Sequence, residues 1–497
     1  MAGRVTPRSN RAKSPSQARP KSPTKARGGQ NPSHGAVPKS QQVPNGRSSG
    51  SAKKEVDGQG SKKACSPPAR RLRSCASPPR NPEGNTRGRH AKNARKNNKC
   101  YSPDGAESPV EKRTEKSPSK SDCVGAPVDK VLQSTLDNLK IKKIEQSNSA
   151  SIINDVVRKI IKHMRQTDPF RDVEELRTGS YYENVKISEP DEFDVMLAVP
   201  VDRAEIQNFD EDGAFYTVAL KRGACKNALH DFLQPDGTIS ADKMLTEFRR
   251  KVKQAVRSFS EVVVERKKKG CPAVTLQIKS DGLEIGLDVV LSLKVHTSWP
   301  QFTRDGFKID AWLGTKVKRE FKFLPFYLVP KYEGKGNEER EGICAKDAWR
   351  ISFSHIEKGI LKNHGQSKTC CESHGTQCCR KPCLKLLKHL LHLLKQKHPK
   401  ELSKFCSYLA KTTLLHACSS RVRDSDWELA RLSDCFQQLL EDFVGHLRSG
   451  ELYNFFIPTQ NLLGFNCDKK SRDFLAGRIE DEWNNGFPIF RDRSQFT

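Results

Sequence analysis

Three acidic side chains in two strand-like segments have the types and spacing for metal-dependent chemistry. Glu192 and Asp194 lie two residues apart in an extended pattern, so both project from the same face of a strand. Asp288 lies within the apolar segment 285–291, where a charge is costly unless it is paired or bound to a cation. Three carboxylates on one face can hold two divalent cations about 4 Å apart, one to activate an attacking hydroxyl and one to neutralise a leaving pyrophosphate.

A glycine and a serine precede the first two acids. Gly179 and Ser180 lie in a turn-rich segment, where glycine lets a backbone N–H approach a phosphate closely and serine adds a hydroxyl. An isolated acid-x-acid pair is usually a solvated strand face, and a Gly-Ser pair alone carries even less information. The order of a Gly-Ser turn, an acid-x-acid strand and a distant acid in an apolar strand is much more specific.

A second cluster of metal-binding side chains lies in a polar loop between two expected helices. It contains His364 and the run Cys370-Cys371-x6-Cys378-Cys379. Any four of these five soft or borderline ligands suit a tetrahedral zinc ion, and a site filled by protein ligands alone would be structural. The spacing is not that of a common zinc finger, so reactive thiols and chance clustering are the alternatives.

Basic residues crowd around this loop and recur upstream of it. They include Lys358, Lys368, Lys381, Lys385 and Lys388 near the loop, and Lys140 and Lys143 in an early helical segment. A run of charge is usually a solvated face, but its coincidence with a rigid metal loop favours a platform for nucleic-acid phosphates. Aromatic residues for base stacking are not interleaved, so the pattern predicts binding to a duplex backbone without sequence readout.

The net charge of the chain is +29, and the N-terminal segment carries most of it. Residues 1–130 contain 29 Lys and Arg against 9 Asp and Glu, a net charge of +20, with 16 prolines and a single aromatic residue, Tyr101. Such a segment buries too little apolar surface to fold, so we expect a disordered basic tail. Its charge favours nucleic acid as the partner, with an anionic membrane or simple solvation as alternatives.

The elements that position these residues predict an α+β fold with two lobes after the tail. Residues 131–340 mix strands with helices, and residues 341–497, which include the loop 364–379, are mainly helical. The expected strands are 193–199, 215–220, 262–266, 273–278 and 283–293. The expected helices are 131–141, 152–164, 241–259, 345–363, 384–397, 400–415, 428–448 and 471–485.

The Gly-Ser and carboxylate pattern resembles the polymerase-beta-like nucleotidyltransferase superfamily. Four stretches narrow the resemblance to its Mab-21-type branch and to the vertebrate cyclic GMP-AMP synthases: TGSYY at 178–182, VKIS at 185–188, EFDVM at 192–196 and WRISFSHIEK at 349–358. The resemblance runs from about residue 131 to the C-terminus. It implies a two-lobed nucleotidyltransferase that binds double-stranded DNA in a two-to-two assembly. The implied product is a cyclic dinucleotide with 2′–5′ and 3′–5′ linkages, made from ATP and GTP as a second messenger of innate immunity.

The resemblance also implies roles for individual residues. Glu192, Asp194 and Asp288 match the triad that holds two magnesium or manganese ions. The nucleotide-binding positions are Gly179, Ser180, Lys331, Arg350, Ser352, Ser354, Glu357, Lys388, Ser407 and Tyr408. The zinc ligands are His364, Cys370, Cys371 and Cys378, which leaves Cys379 and Cys383 over. The DNA-binding positions are Lys140, Lys143, Lys358, Lys368, Lys381 and Lys385, with Arg203, Lys221 and Arg222 on a second surface that also docks on the nucleosome acidic patch.

Two other functions compete with this interpretation. An RNA-activated oligoadenylate synthase belongs to the same superfamily, but the zinc loop and the segment around Ser352 and Ser354 argue against it. A catalytically inactive scaffold for nucleic acid or nucleosomes is the second, and the intact carboxylate triad argues against that. We expect cytoplasmic and nuclear localisation, with a membrane-associated pool if the tail binds anionic lipid.

Overall fold

The structure is a computed structural model that describes residues 122–141, 143–187, 191–221, 228–280, 282–367, 370–371, 377–464 and 467–491. Residues 122–127 and 143–146 are described by their backbone alone. The expected tail therefore lies outside the described residues as far as residue 121. None of the described helices is long and apolar enough to cross a membrane.

A mixed sheet of nine strands forms the centre of the first lobe. The strands of the chain are β1 (Glu174–Thr178), β2 (Glu192–Val201), β3 (Ala204–Asn208), β4 (Phe215–Leu220), β5 (Val262–Val264), β6 (Ala273–Ser280), β7 (Leu283–Val295), β8 (Phe326–Val329), β9 (Glu339–Arg340), β10 (Ile343–Cys344) and β11 (Trp349–Ser352). The sheet order is β1-β2-β7-β8-β11-β4-β3, with β6 also paired to β7 and β5 to β6, while β9 and β10 form a separate hairpin. Strands β2 and β7 are parallel, and the other described pairs are antiparallel.

Twelve α-helices surround and extend this sheet in the described part of the chain. They are α1 (Asp122–Asn138), α2 (Lys143–Met164), α3 (Gly179–Tyr182), α4 (Ala241–Val256), α5 (Asp310–Leu313), α6 (Thr315–Lys322), α7 (Ser354–Lys362), α8 (Arg380–Lys397), α9 (Pro399–Leu402), α10 (Ser407–Ser420), α11 (Leu432–Ser449) and α12 (Lys469–Asn484). Helix α4 shows why such segments fold: the Ser240 hydroxyl caps its first turn by accepting from the Lys243 N–H, and Met244, Phe248 and Val252 are fully buried.

The first helix differs from the expectation in its start and in its packing. Helix α1 begins at Asp122, before the expected boundary at residue 131. It packs against α8 and α11, whereas α2 packs against α4 of the sheet lobe. The Asp129 carboxylate accepts a hydrogen bond from the Ser433 N–H at 3.2 Å, at the start of α11. The two early helices therefore serve different lobes, and both lobes belong to one compact unit, Pro109–Thr497.

The boundary between the lobes also lies further along the chain than residue 340. The expected helix 345–363 is instead strand β11 followed by helix α7, and β11 pairs with β4 and β8 inside the central sheet. Trp349 and Ile351 are buried and alternate with half-buried Arg350, which is the period of a strand. The buried Trp349 indole also donates to the carbonyl of Ile239 at 2.8 Å. Likewise, the expected helix 400–415 is divided into α9 and α10.

Candidate active site, metal cluster and basic surface

The three predicted carboxylates meet at one end of the parallel strand pair. Asp194 on β2 and Asp288 on β7 are partners in register, and Glu192 lies two residues earlier on the same face of β2. The Thr275 hydroxyl donates to Asp288 Oδ1 at 2.6 Å, which fixes the orientation of that carboxylate. Burial, followed by the charges of Asp288 and Glu192, raises the pKa of Asp194 to about 6. Ionised carboxylates this close together repel one another. Divalent cations would fit this cluster, because bound metal would compensate all three negative charges.

The Gly-Ser turn lies directly against this cluster. Gly179 has a positive φ of 82°, and a Cβ atom at that position would lie 2.0 Å from Asp194 Oδ2. Glycine is therefore required by the close approach as well as by the backbone conformation. Tyr181 anchors the turn from the other side, with its ring centroid 4.3 Å from that of buried Phe193. Half-buried Ser180 follows Gly179 directly in the chain.

The same face of the sheet continues to two of the predicted nucleotide-binding residues, Arg350 and Ser352. Alternation along β7 places Lys294 on the face that carries Asp288, and Lys294 is the register partner of Tyr327 on β8. Tyr327 in turn faces Ser352 on β11, and Arg350 lies on the same side two residues earlier. The fold therefore brings both residues to the carboxylate face from a strand remote in sequence.

The remaining nucleotide-binding predictions form polar contacts near this face. Ser352 Oγ and Ser354 Oγ are 3.3 Å apart, and Arg350 pairs with Glu333 at 3.2 Å. Burial and the charge of Arg350 lower the pKa of Lys331, so the two cations lie close together. Two like charges held in this way fit an anionic ligand.

Helix α10 contributes Ser407 and Tyr408, and it reveals two residues that sequence reasoning missed. Tyr408 donates to Glu357 Oε1 at 3.0 Å, while Ser407 is exposed at the first position of the helix. Lys411 pairs with Glu357 at 3.0 Å and with Glu183 at 2.8 Å. Neither Glu183 nor Lys411 was predicted. Lys411 carried a usable signal, since no other Lys, Arg, Asp or Glu occurs in helix α10.

Lys388 is in a different setting from the one expected of a phosphate ligand. Its side chain is buried and donates to the carbonyl of Val185 at 2.7 Å. Burial, followed by the charge of Lys411, lowers the pKa of Lys388 to about 8. In this conformation Lys388 therefore holds the backbone that follows the Gly-Ser turn. Another lysine missed from the sequence, buried Lys186, pairs with Glu192 at 3.0 Å.

The predicted metal cluster is assembled by the structure. The ligand atoms of His364, Cys370, Cys371 and Cys378 all lie within 4.8 Å of one another. The Sγ atoms of Cys371 and Cys378 are 3.6 Å apart, and the His364 Nε2 lies 3.2 Å from Cys378 Sγ. A tetrahedral ion with Zn–S bonds of about 2.3 Å requires S–S separations of about 3.8 Å, so the four side chains fit that geometry.

Contacts outside the cluster orient its ligands. The His364 Nδ1 lies 2.9 Å from the Leu361 carbonyl oxygen, which leaves Nε2 facing the thiols. Buried Arg380, two residues after Cys378, pairs with Asp424 at 2.9 Å. The two cysteines left over, Cys379 and Cys383, are fully buried away from this set in the helical lobe.

Three of the predicted DNA-binding lysines share one surface. The pKa of Lys385 is lowered by burial and then by the charges of Lys381 and Lys140, which places α8 beside the end of α1. Exposed Lys140 is also paired with Asp137 at 2.7 Å. Such a group of like charges fits a polyanion that neutralises them together. On the second predicted surface, Arg203 and Lys221 are exposed neighbours, joined by a backbone hydrogen bond of 3.0 Å.

Lys358, a predicted DNA contact, has its side chain directed towards the Gly-Ser turn. Its Nζ donates to the carbonyl of Arg177 at 2.9 Å and lies 5.4 Å from the centre of the Tyr182 ring. Lys358 therefore supports the Gly-Ser turn in this conformation. Arg222, Lys368 and the side chain of Lys143 lie outside the described residues.

Comparison with known proteins identifies the family to which this site belongs. Residues 181–363 match the Mab-21 protein nucleotidyltransferase domain, and residues 379–481 match the Mab-21 protein HhH/H2TH-like domain. The chain is 46% identical over 363 residues to the cyclic GMP-AMP synthase of Sus scrofa, which covers 72% of each chain. It is also 46% identical over 363 residues to that of Mus musculus, covering 72% of this chain and 70% of the relative.

A more distant relative is the cyclic GMP-AMP synthase-like receptor of Magallana gigas, 25% identical over 314 residues, which cover 61% of this chain and 50% of the relative. The nucleotidyltransferase match contains all three carboxylates, and the second match contains Lys388, Ser407 and Tyr408. Membership of a nucleotidyltransferase family implies divalent metal use, which the carboxylate cluster fits. The chain is thus a nucleotidyltransferase that belongs to the cyclic GMP-AMP synthase family of the Mab-21-type enzymes.

Proposed function

We propose that this chain synthesises cyclic GMP-AMP from ATP and GTP when it is bound to double-stranded DNA, as a sensor in innate immunity. The observation that carries the catalytic part is the register pairing of Asp194 with Asp288, with Gly179 packed against Asp194. The names of the mammalian relatives support the choice of product.

The reaction consists of two successive nucleotidyl transfers. In each, a ribose hydroxyl attacks an α-phosphate, a P–O bond forms, and pyrophosphate leaves with the bridging oxygen. Magnesium ions held by Glu192, Asp194 and Asp288 would lower the pKa of the attacking hydroxyl and neutralise the leaving pyrophosphate. The turn at Gly179 and Ser180 orients the triphosphate, and the 2′–5′ and 3′–5′ linkages then depend on how the first product is held for the second attack.

The remaining residues divide between base recognition and phosphate contacts. Arg350, Ser352 and Ser354 supply polar contacts to a base on the extended sheet face, and Tyr408 stacks on a base once its bond to Glu357 is exchanged. Lys331, Ser407 and Lys388 complete the nucleotide pocket, the last after releasing Val185.

DNA recognition is assigned to the surface of Lys140, Lys381 and Lys385. A zinc ion in the His364 cluster would hold the adjacent loop rigid, so that the lysines meet the duplex backbone without reading its sequence. Lys143 and Lys368 extend this surface along the chain. The proposal also includes an assembly of two copies of the chain on DNA. It includes contact with nucleosomes through Arg203, Lys221 and Arg222, and binding of the basic tail to anionic membranes. Cytoplasmic and nuclear pools accompany those partners.

Product identification tests the proposal directly. The full chain is incubated with ATP, GTP and magnesium, with and without long duplex DNA, and the products are analysed by mass spectrometry. A phosphodiesterase specific for 3′–5′ bonds should cleave one of the two linkages and leave the 2′–5′ linkage intact. We expect cyclic GMP-AMP and pyrophosphate only with DNA, at a rate at least tenfold above the DNA-free rate. A linear oligoadenylate, or equal rates without DNA, would contradict the proposal.

A further inference from the structure

The turn that carries Gly179 and Ser180 is held by an ion pair from the helical lobe. The turn comprises residues 177–185, and its Glu183 carboxylate is 2.8 Å from the Lys411 Nζ of helix α10. The Glu183 side chain is fully buried, and that of Lys411 is 14% exposed. Within the turn, the Val185 N–H donates to the carbonyl of Ser180 at 2.9 Å. The ion pair therefore acts on the short segment that approaches Asp194.

Two further lysines contact the same segment at its ends. Lys358 of helix α7 donates to the carbonyl of Arg177 at 2.9 Å, and Lys388 of helix α8 donates to the carbonyl of Val185 at 2.7 Å. Both bonds use backbone oxygens, so they fix where the turn begins and ends. The pair with Lys411 is a contact between the helical lobe and a charged side chain of the turn.

Stability alone is a poor explanation for this ion pair. Lys411 also pairs with Glu357 at 3.0 Å, so one cation serves two buried carboxylates. Taking these charges out of water is costly, and apolar residues of similar volume are often as stable in such positions. What an ion pair provides instead is a fixed geometry between elements, since its energy depends on distance and orientation.

We propose that Lys411, paired with Glu183, is a positioning residue that holds the 177–185 turn in the geometry required for catalysis. Helix α10 also carries Ser407 and Tyr408, so a shift of that helix displaces the turn and the nucleotide-binding residues together. The pair thereby couples the helical lobe to the Gly179 contact with Asp194. The catalytic part of this inference rests on the proposed function, whereas its structural part does not.

The test uses the isosteric variant Glu183→Gln in the full chain. The amide retains size and a hydrogen bond to Lys411 but removes the charge. We expect kcat to fall about tenfold while KM for ATP and GTP stays within twofold, because the turn still contacts the triphosphate but no longer holds it in the reactive geometry beside Asp194. Amide hydrogen exchange in residues 177–185 should accelerate at least fivefold, with exchange in helix α11 unchanged.

A second variant and a matched control keep the two roles separate. The variant Lys411→Arg keeps the positive charge, so its kcat should be at least a third of the wild-type kcat. Asp434→Asn, which removes the exposed pair with Arg431, should change neither kcat nor exchange in the turn. A changed KM at constant kcat, unchanged exchange in 177–185, or a uniform acceleration across the chain would each overturn the inference. If the wild-type chain makes no cyclic dinucleotide, the proposed function fails, while the exchange experiment still decides whether the pair positions the turn.

Discussion

The carboxylate cleft and the cysteine–histidine loop are built in opposite ways. The cleft joins Asp194 and Asp288, which are remote in sequence and meet only because β2 and β7 pair in parallel register. The loop draws its ligands from residues 364–378, so local spacing almost suffices to assemble them. In the cleft, burial and then the charges of Asp288 and Glu192 raise the pKa of Asp194, whereas the loop brings together one imidazole and three thiol groups that can share one metal ion.

This difference suits the two regions to different roles, metal and phosphate binding in the cleft and the shaping of a loop in the cysteine–histidine cluster. A cluster of repelling carboxylates is held in place by the sheet and gains stability when cations enter, so it is suited to reversible metal and phosphate binding. A closed set of four protein ligands leaves no open position, and its role is to hold a loop in shape. The basic surface beside the loop resembles the cleft in one respect: Lys140, Lys381 and Lys385 are like charges held together for a partner of opposite sign.

The largest expected effect comes from removing one charge in the cleft. Asp194→Asn should reduce product formation by at least a thousandfold, because the triad then lacks a metal-binding oxygen. DNA affinity should stay within about threefold of wild type, since the basic surface is untouched. Product is quantified by mass spectrometry and DNA affinity by fluorescence anisotropy. A variant that still makes product, or that loses DNA binding, would break the separation between the two regions.

The same variant should stabilise the metal-free protein. The folded-state pKa of Asp194 lies near 6, above its ordinary value of 3.8, so the ionised carboxylate destabilises the fold above pH 6. At pH 7 the variant should gain on the order of 3 kcal/mol in free energy of unfolding, as expected for a rise in pKa from 3.8 to about 6. The gain should shrink as the pH falls from 6 to 4, where wild-type Asp194 becomes protonated. Denaturant melts in a chelator measure it, and a gain that does not depend on pH would contradict this cause.

A smaller effect on activity is expected from the loop. Cys378→Ser replaces a thiolate with a poor zinc ligand, so bound zinc should fall from one per chain to near zero. DNA-stimulated activity should drop about thirtyfold through weaker DNA binding, with the carboxylate cleft intact. Metal analysis measures the first outcome, and activity titrated against DNA concentration, starting below saturation, measures the second. Cys344→Ser, at a half-buried cysteine outside the loop, is the matched control. A zinc-free variant with full DNA response would show that the loop does not contribute to control.

The loop, β4 and β7 were the parts of the molecule that the sequence located best, whereas β1, β3, β8 and the β9–β10 hairpin were not predicted. The chain carries the four ligands close together, and periodicity located β4 precisely and β7 within two residues. The prediction failed at residues 345–363, because a buried tryptophan and an alternating pattern over four residues are too short to outweigh the helical pattern that follows. Strand β11 is recognisable only once β4 and β8 are in place on either side of it.

Within the site, the sequence identified the residue types but not where their side chains point. It placed Lys358 and Lys388 among surface or ligand-binding cations, yet both donate to backbone carbonyls of the 177–185 turn. A lysine has the same pattern whether its long side chain points to solvent or to a carbonyl, so only tertiary packing decides. Glu183 could not have been found, because its partner Lys411 lies in another lobe of the chain.

The smallest expected effect distinguishes an outward lysine from an inward one. Lys385→Gln removes one charge from the basic surface, so DNA affinity should fall about threefold at moderate salt. The slope of log affinity against log salt should also decrease in magnitude by about 0.9, the value for one phosphate contact. Lys358→Gln should leave that slope unchanged and instead lower kcat, because Lys358 holds Arg177 at the start of the turn. Anisotropy titrations at several salt concentrations decide the matter. An equal change of slope in both variants would mean that Lys358 faces DNA in the complex and that the basic surface extends to the turn itself.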